Sequence, residues 1–83
     1  MKIAVIRQND MRRIFSMEEA IKADRDALEL YSKGKSQSPL RVTLSVPEHN
    51  GLSLYMPGYV PDLNALGVKI VSTYPGNYEK GIP

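Results

Sequence analysis

The sequence predicts an α+β fold, in which a mostly antiparallel sheet carries one main helix on one of its faces. Two observations support this class. A single long amphipathic helical pattern lies in the first half of the chain, and strand patterns separated by turn residues fill the second half. This order is typical of two layers, one helical and one of sheet. The chain has 83 residues, which is the size of one domain.

The main helix is predicted from Met17 to Lys33. Ser16 and Glu19 have the spacing of a capping box, in which each side chain satisfies a backbone N–H of the other residue. Gly34 is a suitable residue to end the helix. Apolar residues recur at helical spacing and form one stripe: Met17, Ala20, Ile21, Ala27, Leu28 and Tyr31.

The segment before this helix is predicted to contain a short opening strand, Ile3 to Ile6, because it is an apolar, β-prone run. Asn9 or Asp10 is expected to cap a short helical turn, Met11 to Phe15.

Three further strands are predicted after the helix. Leu40 to Val46 alternates apolar and polar residues without a break. Asn50-Gly51 then signals a hairpin, and Leu52 to Met56 is the returning strand, which Pro57-Gly58 is expected to end. Leu66 to Tyr74 is a third, mostly apolar strand.

Composition excludes several functional classes. The chain has no Cys and one His, so disulfides, thiolate metal sites and all-His metal sites are excluded, and no metal site is predicted. The net charge is +2, from 11 basic and 9 acidic residues, and gives no basic cluster of the kind that binds nucleic acid. No apolar run is long enough for a membrane span, so we expect a cytoplasmic protein with neither a nucleic-acid nor a membrane partner.

Two cations stand out because no self-contained catalytic set is present. His49 lies beside a hairpin turn, and the chain has no G-x-G-x-x-G or P-loop motif. Arg41 and Lys69 each lie inside a predicted strand, where a long cation must reach solvent, an acidic partner or an anionic ligand. Arg offers a bidentate fork for a carboxylate, and Lys can serve as an acid–base group. The alternative from the pattern alone is that both are surface cations whose side chains reach water.

The same residues carry a resemblance to the ornithine cyclodeaminase/mu-crystallin family. Each matching stretch is short, but the series is in order and covers nearly the whole chain. The stretches are Ser16-Met17-Glu18-Glu19-Ala20-Ile21, Pro39-Leu40-Arg41, Tyr55-Met56-Pro57-Gly58-Tyr59, Leu66-Gly67-Val68-Lys69-Ile70-Val71-Ser72, Tyr74-Pro75-Gly76-Asn77 and Gly81-Ile82-Pro83.

The resemblance implies an NAD(P)-dependent homodimeric enzyme that transfers hydride at the Cα of an amino acid or cyclic imine. Members of this family include ornithine cyclodeaminases, which are lyases, and alanine dehydrogenases and ketimine reductases, which are oxidoreductases. Residues 1–83 would be the N-terminal part of the substrate-binding and dimerisation domain, whose sheet pairs with a second subunit. The Rossmann domain that holds NAD or NADP would follow outside this chain. We therefore expect an N-terminal fragment that is inactive alone and has no cofactor-binding residues.

Three site residues follow from the resemblance. Arg41 matches the family Arg that binds the substrate carboxylate. Lys69 matches the Lys at the same carboxylate and beside the reacting carbon, which makes it the catalytic candidate. Met56 matches a Met that lines the pocket. Leu54 is a departure, because ornithine-using members resemble one another in having an acidic residue there for the distal ammonium. Leu54 therefore argues against ornithine as substrate.

A second interpretation stays open from the sequence alone. The chain could be a stand-alone dimerisation or interaction module without catalysis, in which Arg41 and Lys69 are solvated surface cations.

Overall fold

The computed structural model describes all 83 residues, and it has three helices and one three-stranded antiparallel sheet in the order β1-β2-β3. The helices are α1 (Gln8–Ile14), α2 (Met17–Ser32) and α3 (Gly76–Glu79), and the strands are β1 (Val42–Val46), β2 (Gly51–Val60) and β3 (Ala65–Thr73). The predicted α+β class with an antiparallel sheet is confirmed.

Helix α2 begins and ends nearly where its sequence predicts. The Ser16 hydroxyl accepts a hydrogen bond from the Glu19 N–H at 3.2 Å, which is one of the two bonds of the predicted capping box. The helix ends at Ser32, one residue earlier than predicted, and Gly34 follows with a φ of 71°. None of the three helices is long and apolar enough to cross a lipid bilayer.

The N-terminal prediction is partly wrong. Ile3 to Ile6 form no strand, because none of the three strands pairs with them and an apolar run becomes a strand only with a ladder partner. Helix α1 is longer than the predicted turn and starts at Gln8, so Arg7 takes the N-cap position and the predicted caps Asn9 and Asp10 lie inside the helix. Its start is held by Asp10, whose carboxylate accepts from the Arg7 N–H at 2.9 Å and from Arg13 at 2.8 Å. The Arg7 N–H bond, and then the Arg13 bond, lower the pKa of Asp10.

The two hairpin connections share one four-residue design, Pro-x-x-Asn. Pro47–Asn50 joins β1 to β2, and Pro61–Asn64 joins β2 to β3. Each Asn is left-handed, with φ of 49° and 48°, and its N–H donates to the carbonyl of the loop proline at 3.1 and 2.9 Å. Gly51 thus belongs to β2 and pairs with Val46, while β3 lies one residue earlier than predicted.

Strand β2 does not stop at Pro57-Gly58 as predicted; it continues to Val60. The Tyr59 N–H and C=O bond to Gln37, so Tyr59 and, two residues before it, Pro57 present their backbone groups to the β1 side. Opposite Pro57, β1 has not yet begun. The proline therefore removes no ladder hydrogen bond, which is the condition for a proline inside a sheet.

The approach to β1 contains one extra residue. Between the Gln37–Tyr59 bridge and the Val42–Tyr55 pair, the first segment has residues 38–41 and β2 has only residues 56–58. Four residues thus face three, as in a β-bulge. This offset explains why regular pairing starts at Val42 and not at the predicted Leu40.

Much apolar surface stays open in the isolated chain. Gly51 is its one fully buried residue, and no apolar side chain is fully buried. The predicted packing of helix α2 on a sheet face is scarcely formed, and its apolar stripe stays open: Met17 remains 74% and Leu28 66% exposed. One sheet face, here called the apolar face, presents exposed side chains at alternating positions of β1 and β3: Val42, Leu44, Leu66, Val68 and Ile70. The sheet is therefore held chiefly by its backbone ladder.

We predict that Gly51→Ala destabilises the protein. A Cβ at Gly51 would lie 2.3 Å from the Tyr74 Cε1, inside the aromatic ring's contact distance. Overpacking of this kind costs about 1–3 kcal/mol, which thermal unfolding of the full-length protein should register as a lower Tm.

Gly76→Ala is the matched control, because no atom lies within 4 Å of its added Cβ. Combining Gly51→Ala with Tyr74→Leu should reduce the cost of the alanine, since the clashing ring is removed. An unchanged Tm in Gly51→Ala would contradict the packing described.

Candidate functional site

Two of the three predicted site residues are direct cross-strand partners. Met56 on β2 lies opposite Lys69 on β3 in the antiparallel register. Side chains of directly opposed residues share a face, with Cβ atoms about 4.5–5.5 Å apart. The register therefore brings the predicted Lys and Met together.

The third residue, Arg41, lies at the neighbouring end of the β1–β2 ladder. Arg41 lies immediately before β1 and not inside a strand, which corrects the sequence prediction. Val42 pairs with Tyr55, so Arg41 comes next to the end of the regular pairing, the end that is nearest to Met56. Arg41, Met56 and Lys69 are here called the cation row.

The cation row carries positive charge that no neighbouring group neutralises. Arg41 and Lys69 are both exposed, whereas Met56 between them is half-buried. The ion pairs of the chain are all made by other cations: Arg7, Arg13, Lys22, Lys33 and Lys35. Alternation along the strands sets no Asp or Glu on this face. Two free cations flanking an apolar side chain suit a small carboxylate.

A second row lies next to the cation row on the same face. Leu54 pairs with Thr43 on one side and with Val71 on the other. Leu54 and Val71 are half-buried. This wall row (Thr43, Leu54 and Val71) is apolar at its centre, as predicted for Leu54. The sequence interpretation did not place Thr43 and Val71 beside Leu54. The two Pro-x-x-Asn loops fix the register, so recognising them in the sequence would have predicted both neighbours.

On the other side of the cation row lies a pair of glycines. Gly58 and Gly67 are directly opposed in the β2–β3 register. This glycine row presents bare backbone where the wall row presents side chains.

The cation row stands on an open face and not in a closed pocket. The main surface hollows are lined by residues elsewhere; one of them lies along α1, between Arg7 and Arg13. No group of three His, Cys, Asp or Glu side chains is placed to hold a metal ion. His49 lies exposed in the first hairpin connection. The chain thus presents the cation row on an open surface.

The chain is similar in sequence to curated proteins that are named as enzymes. The chain is 32% identical to an alanine dehydrogenase of Archaeoglobus fulgidus, a match that covers 100% of this chain and 24% of that protein. It is 35% identical to a Delta(1)-pyrroline-2-carboxylate reductase of Bacillus cereus, over 93% of this chain and 24% of the relative. The chain therefore spans about a quarter of the length of the curated relatives it matches.

A solved structure has the same fold. The Thermococcus litoralis Delta(1)-pyrroline-2-carboxylate reductase, in complex with NADH and L-proline, matches 98% of this chain and 25% of its own with a TM-score of 0.87 and 41% identity. The family model described as the ornithine cyclodeaminase/mu-crystallin family matches residues 1–83, the whole chain. The chain therefore belongs to the ornithine cyclodeaminase/mu-crystallin family.

Proposed function

We propose that the full-length protein is an NAD(P)-dependent oxidoreductase acting at the Cα of a small amino acid or cyclic imine. In this proposal, residues 1–83 are the N-terminal part of its substrate-binding domain, and a Rossmann domain holds the cofactor phosphates. The observation that carries the proposal is the cation row, in which Arg41 and Lys69 flank Met56 on a face without carboxylates.

Arg41 and Lys69 have complementary roles at the substrate. The Arg41 guanidinium can bind both oxygens of the substrate carboxylate through its planar fork. The Lys69 Nζ can donate to the same carboxylate and exchange a proton with the adjacent substrate nitrogen, where an imine must gain and an amine must lose a proton. Met56 supplies an apolar, adaptable surface under the substrate carbon. The nicotinamide, when bound, supplies or accepts the hydride.

The wall row favours a substrate without a distal charge. Leu54 and Val71 are half-buried and apolar, and neither can pair with an ammonium group. Leaving a charge unpaired in a closed site costs several kcal/mol. A cyclic imine or a short amino acid such as alanine suits this wall, and ornithine does not. The pyrroline carboxylate and alanine in the relatives' names agree with that preference.

We also propose that the apolar face pairs with a second subunit. Val68 and Ile70 on β3 are about three-fifths exposed, and Leu66 is 80% exposed. Contiguous apolar surface of this kind is typical of an interface. The cation row lies on the opposite face, so a dimer formed through the apolar face would leave the substrate site accessible.

Substitution of the two cations tests the site. Arg41→Ala should raise the KM for the imine or amino acid about 10- to 100-fold, because a charge-assisted bidentate contact is lost. Lys69→Ala should lower kcat by about 10²-fold or more, the scale of a lost acid–base group. Steady-state kinetics of the full-length enzyme measure both effects.

Arg25→Ala on α2 and Lys80→Ala after α3 are matched controls, since both remove an exposed cation away from the cation row. Kinetics that match the controls in both site variants would remove the site assignment. They would leave the stand-alone interaction module as the better interpretation.

A substrate panel tests the wall row. We expect turnover of Δ1-pyrroline-2-carboxylate or alanine to exceed that of ornithine by at least about 10² in kcat/KM, which corresponds to about 2.7 kcal/mol of discrimination. NADH and NADPH consumption, and NAD⁺ reduction, report the rates. Ornithine as the best substrate would contradict the proposed role of Leu54.

The dimer is tested by Val68→Glu, which places a charge in the apolar face. We expect light scattering to show a dimer for the full-length protein and a monomer for this variant, because an unpaired buried charge opposes association. Ser45→Glu, on the opposite face of the sheet, is the control and should remain a dimer. A monomeric unsubstituted protein would remove the dimer proposal without touching the site.

A further inference from the structure

We propose that the Gln37–Tyr59 bridge positions Arg41 for the substrate carboxylate, and that the Lys35–Asp62 ion pair supports this bridge. This inference rests on the proposed function, because it concerns how the Arg41 side chain is held at the substrate site. It adds Gln37, Lys35 and Asp62 as positioning residues, which act on the substrate only through Arg41.

Arg41 has little backbone support of its own. Residues 38–41 make no backbone hydrogen bond. On one side this segment joins the β1–β2 ladder at Val42. On the other side it joins the sheet at Gln37, whose N–H donates to the Tyr59 carbonyl at 2.8 Å and whose carbonyl accepts from the Tyr59 N–H at 2.9 Å. The backbone of Arg41 is therefore placed by these two attachment points.

The bridge holds the segment against the strand that carries the substrate site. Tyr59 belongs to β2, three residues after Met56. If the bridge opens, no backbone hydrogen bond joins the segment before Val42 to the sheet. The released backbone gains conformational entropy, which substrate binding must then remove again. A closed bridge thus orders Arg41 before the carboxylate arrives, and such preorganisation favours binding.

A side-chain contact lies beside the bridge. The Lys35 Nζ is 3.7 Å from the Asp62 Oδ2. All other ion pairs of the chain join residues three or four positions apart, whereas this pair joins the segment after α2 to the β2–β3 connection. Lys35 comes two residues before Gln37, and Asp62 three residues after Tyr59. Because exposed ion pairs are weak, this pair supports the bridge and does not replace it.

Helix α2 and the sheet are held without the bridge. The Lys35 N–H donates to the Leu30 carbonyl at 2.9 Å, which closes the end of α2. β2 pairs with β3 through nine residue pairs, and none of them involves Gln37. Loss of the bridge should therefore leave α2 and the β2–β3 ladder in place and change chiefly the segment that carries Arg41.

The first test removes a bridge hydrogen bond in the full-length protein. Gln37→Pro deletes the N–H that donates to Tyr59, whereas Gln37→Ala removes only the exposed side chain, so the difference between them reports the backbone bond. We expect a KM for the imine or amino acid about 3- to 10-fold higher in Gln37→Pro than in Gln37→Ala, the scale of one lost hydrogen bond. The kcat and the Kd for NADH should differ by less than about 2-fold, because Lys69 is not moved.

The same comparison in an Arg41→Ala background separates positioning from a general effect on the fold. There, Gln37→Pro should cause no further rise in KM, because both changes act through one side chain.

The ion pair gives a test that does not depend on a proline. Asp62→Asn should raise the KM about 2-fold, and the reversed pair, Lys35→Glu with Asp62→Lys, should restore it. Glu29→Gln is the matched control, because it removes the exposed ion pair with Lys33, 2.7 Å long, at the end of α2. This control should leave the KM unchanged.

Three results would overturn the inference. The first is an equal KM in Gln37→Pro and Gln37→Ala. The second is a rise in KM of the same size with and without the Arg41 guanidinium, and the third is a joint loss of kcat and NADH binding; both would make the bridge a purely structural contact. Should Gln37→Pro not fold, Asp62→Asn in the two backgrounds gives the same comparison. A parent protein that turns over no imine or amino acid would instead remove the proposed function.

Discussion

The site depends on the register of β2 with its two neighbours. β2 is the central strand, and each of its pairings is set by a Pro-x-x-Asn connection whose asparagine closes the loop onto the proline carbonyl. A slip of one residue in either pairing would move a whole strand's side chains to the opposite face. Lys69 would then point to the apolar face, and the cation row would not exist. Two short loops therefore determine the chemistry of the sheet.

The two faces of the sheet differ in their chemistry. One face carries the unneutralised cations with apolar and glycine rows on either side, and the other carries exposed aliphatic side chains. Neither face is fully covered by residues of this chain, since no apolar side chain is fully buried. In the proposed enzyme, both faces are completed by other polypeptide: the cofactor domain over the cations and a second subunit over the aliphatic side chains. Stability and activity would then depend on the same assembly.

The sequence was sufficient for what depends on local pattern. The 3.6-residue period and Ser16 defined α2 to within one residue; alternation indicated β1, and a nearly continuous apolar run indicated β3. The sequence was insufficient to predict features that depend on contacts with distant parts of the chain. Ile3 to Ile6 have strand propensity but no strand to pair with, and Pro57 is tolerated because no regular ladder pair is formed on the side of its missing N–H. Arg41, Met56 and Lys69 were predicted from local pattern and resemblance, but the pairing of Met56 with Lys69 required the register.

Because segment 38–41 contains an extra residue, the backbones of Arg41 and Lys69 are held to different degrees. Lys69 is inside β3, and its backbone is held by pairing with β2 along nine residues. Arg41 comes just before β1, next to a stretch in which four residues face three and Pro39 has no N–H to offer. The backbone of Lys69 is thus held by a regular ladder, whereas the backbone of Arg41 has no regular ladder partner. A change in the length or sequence of segment 38–41 would therefore move Arg41 without changing the pairing that holds Lys69.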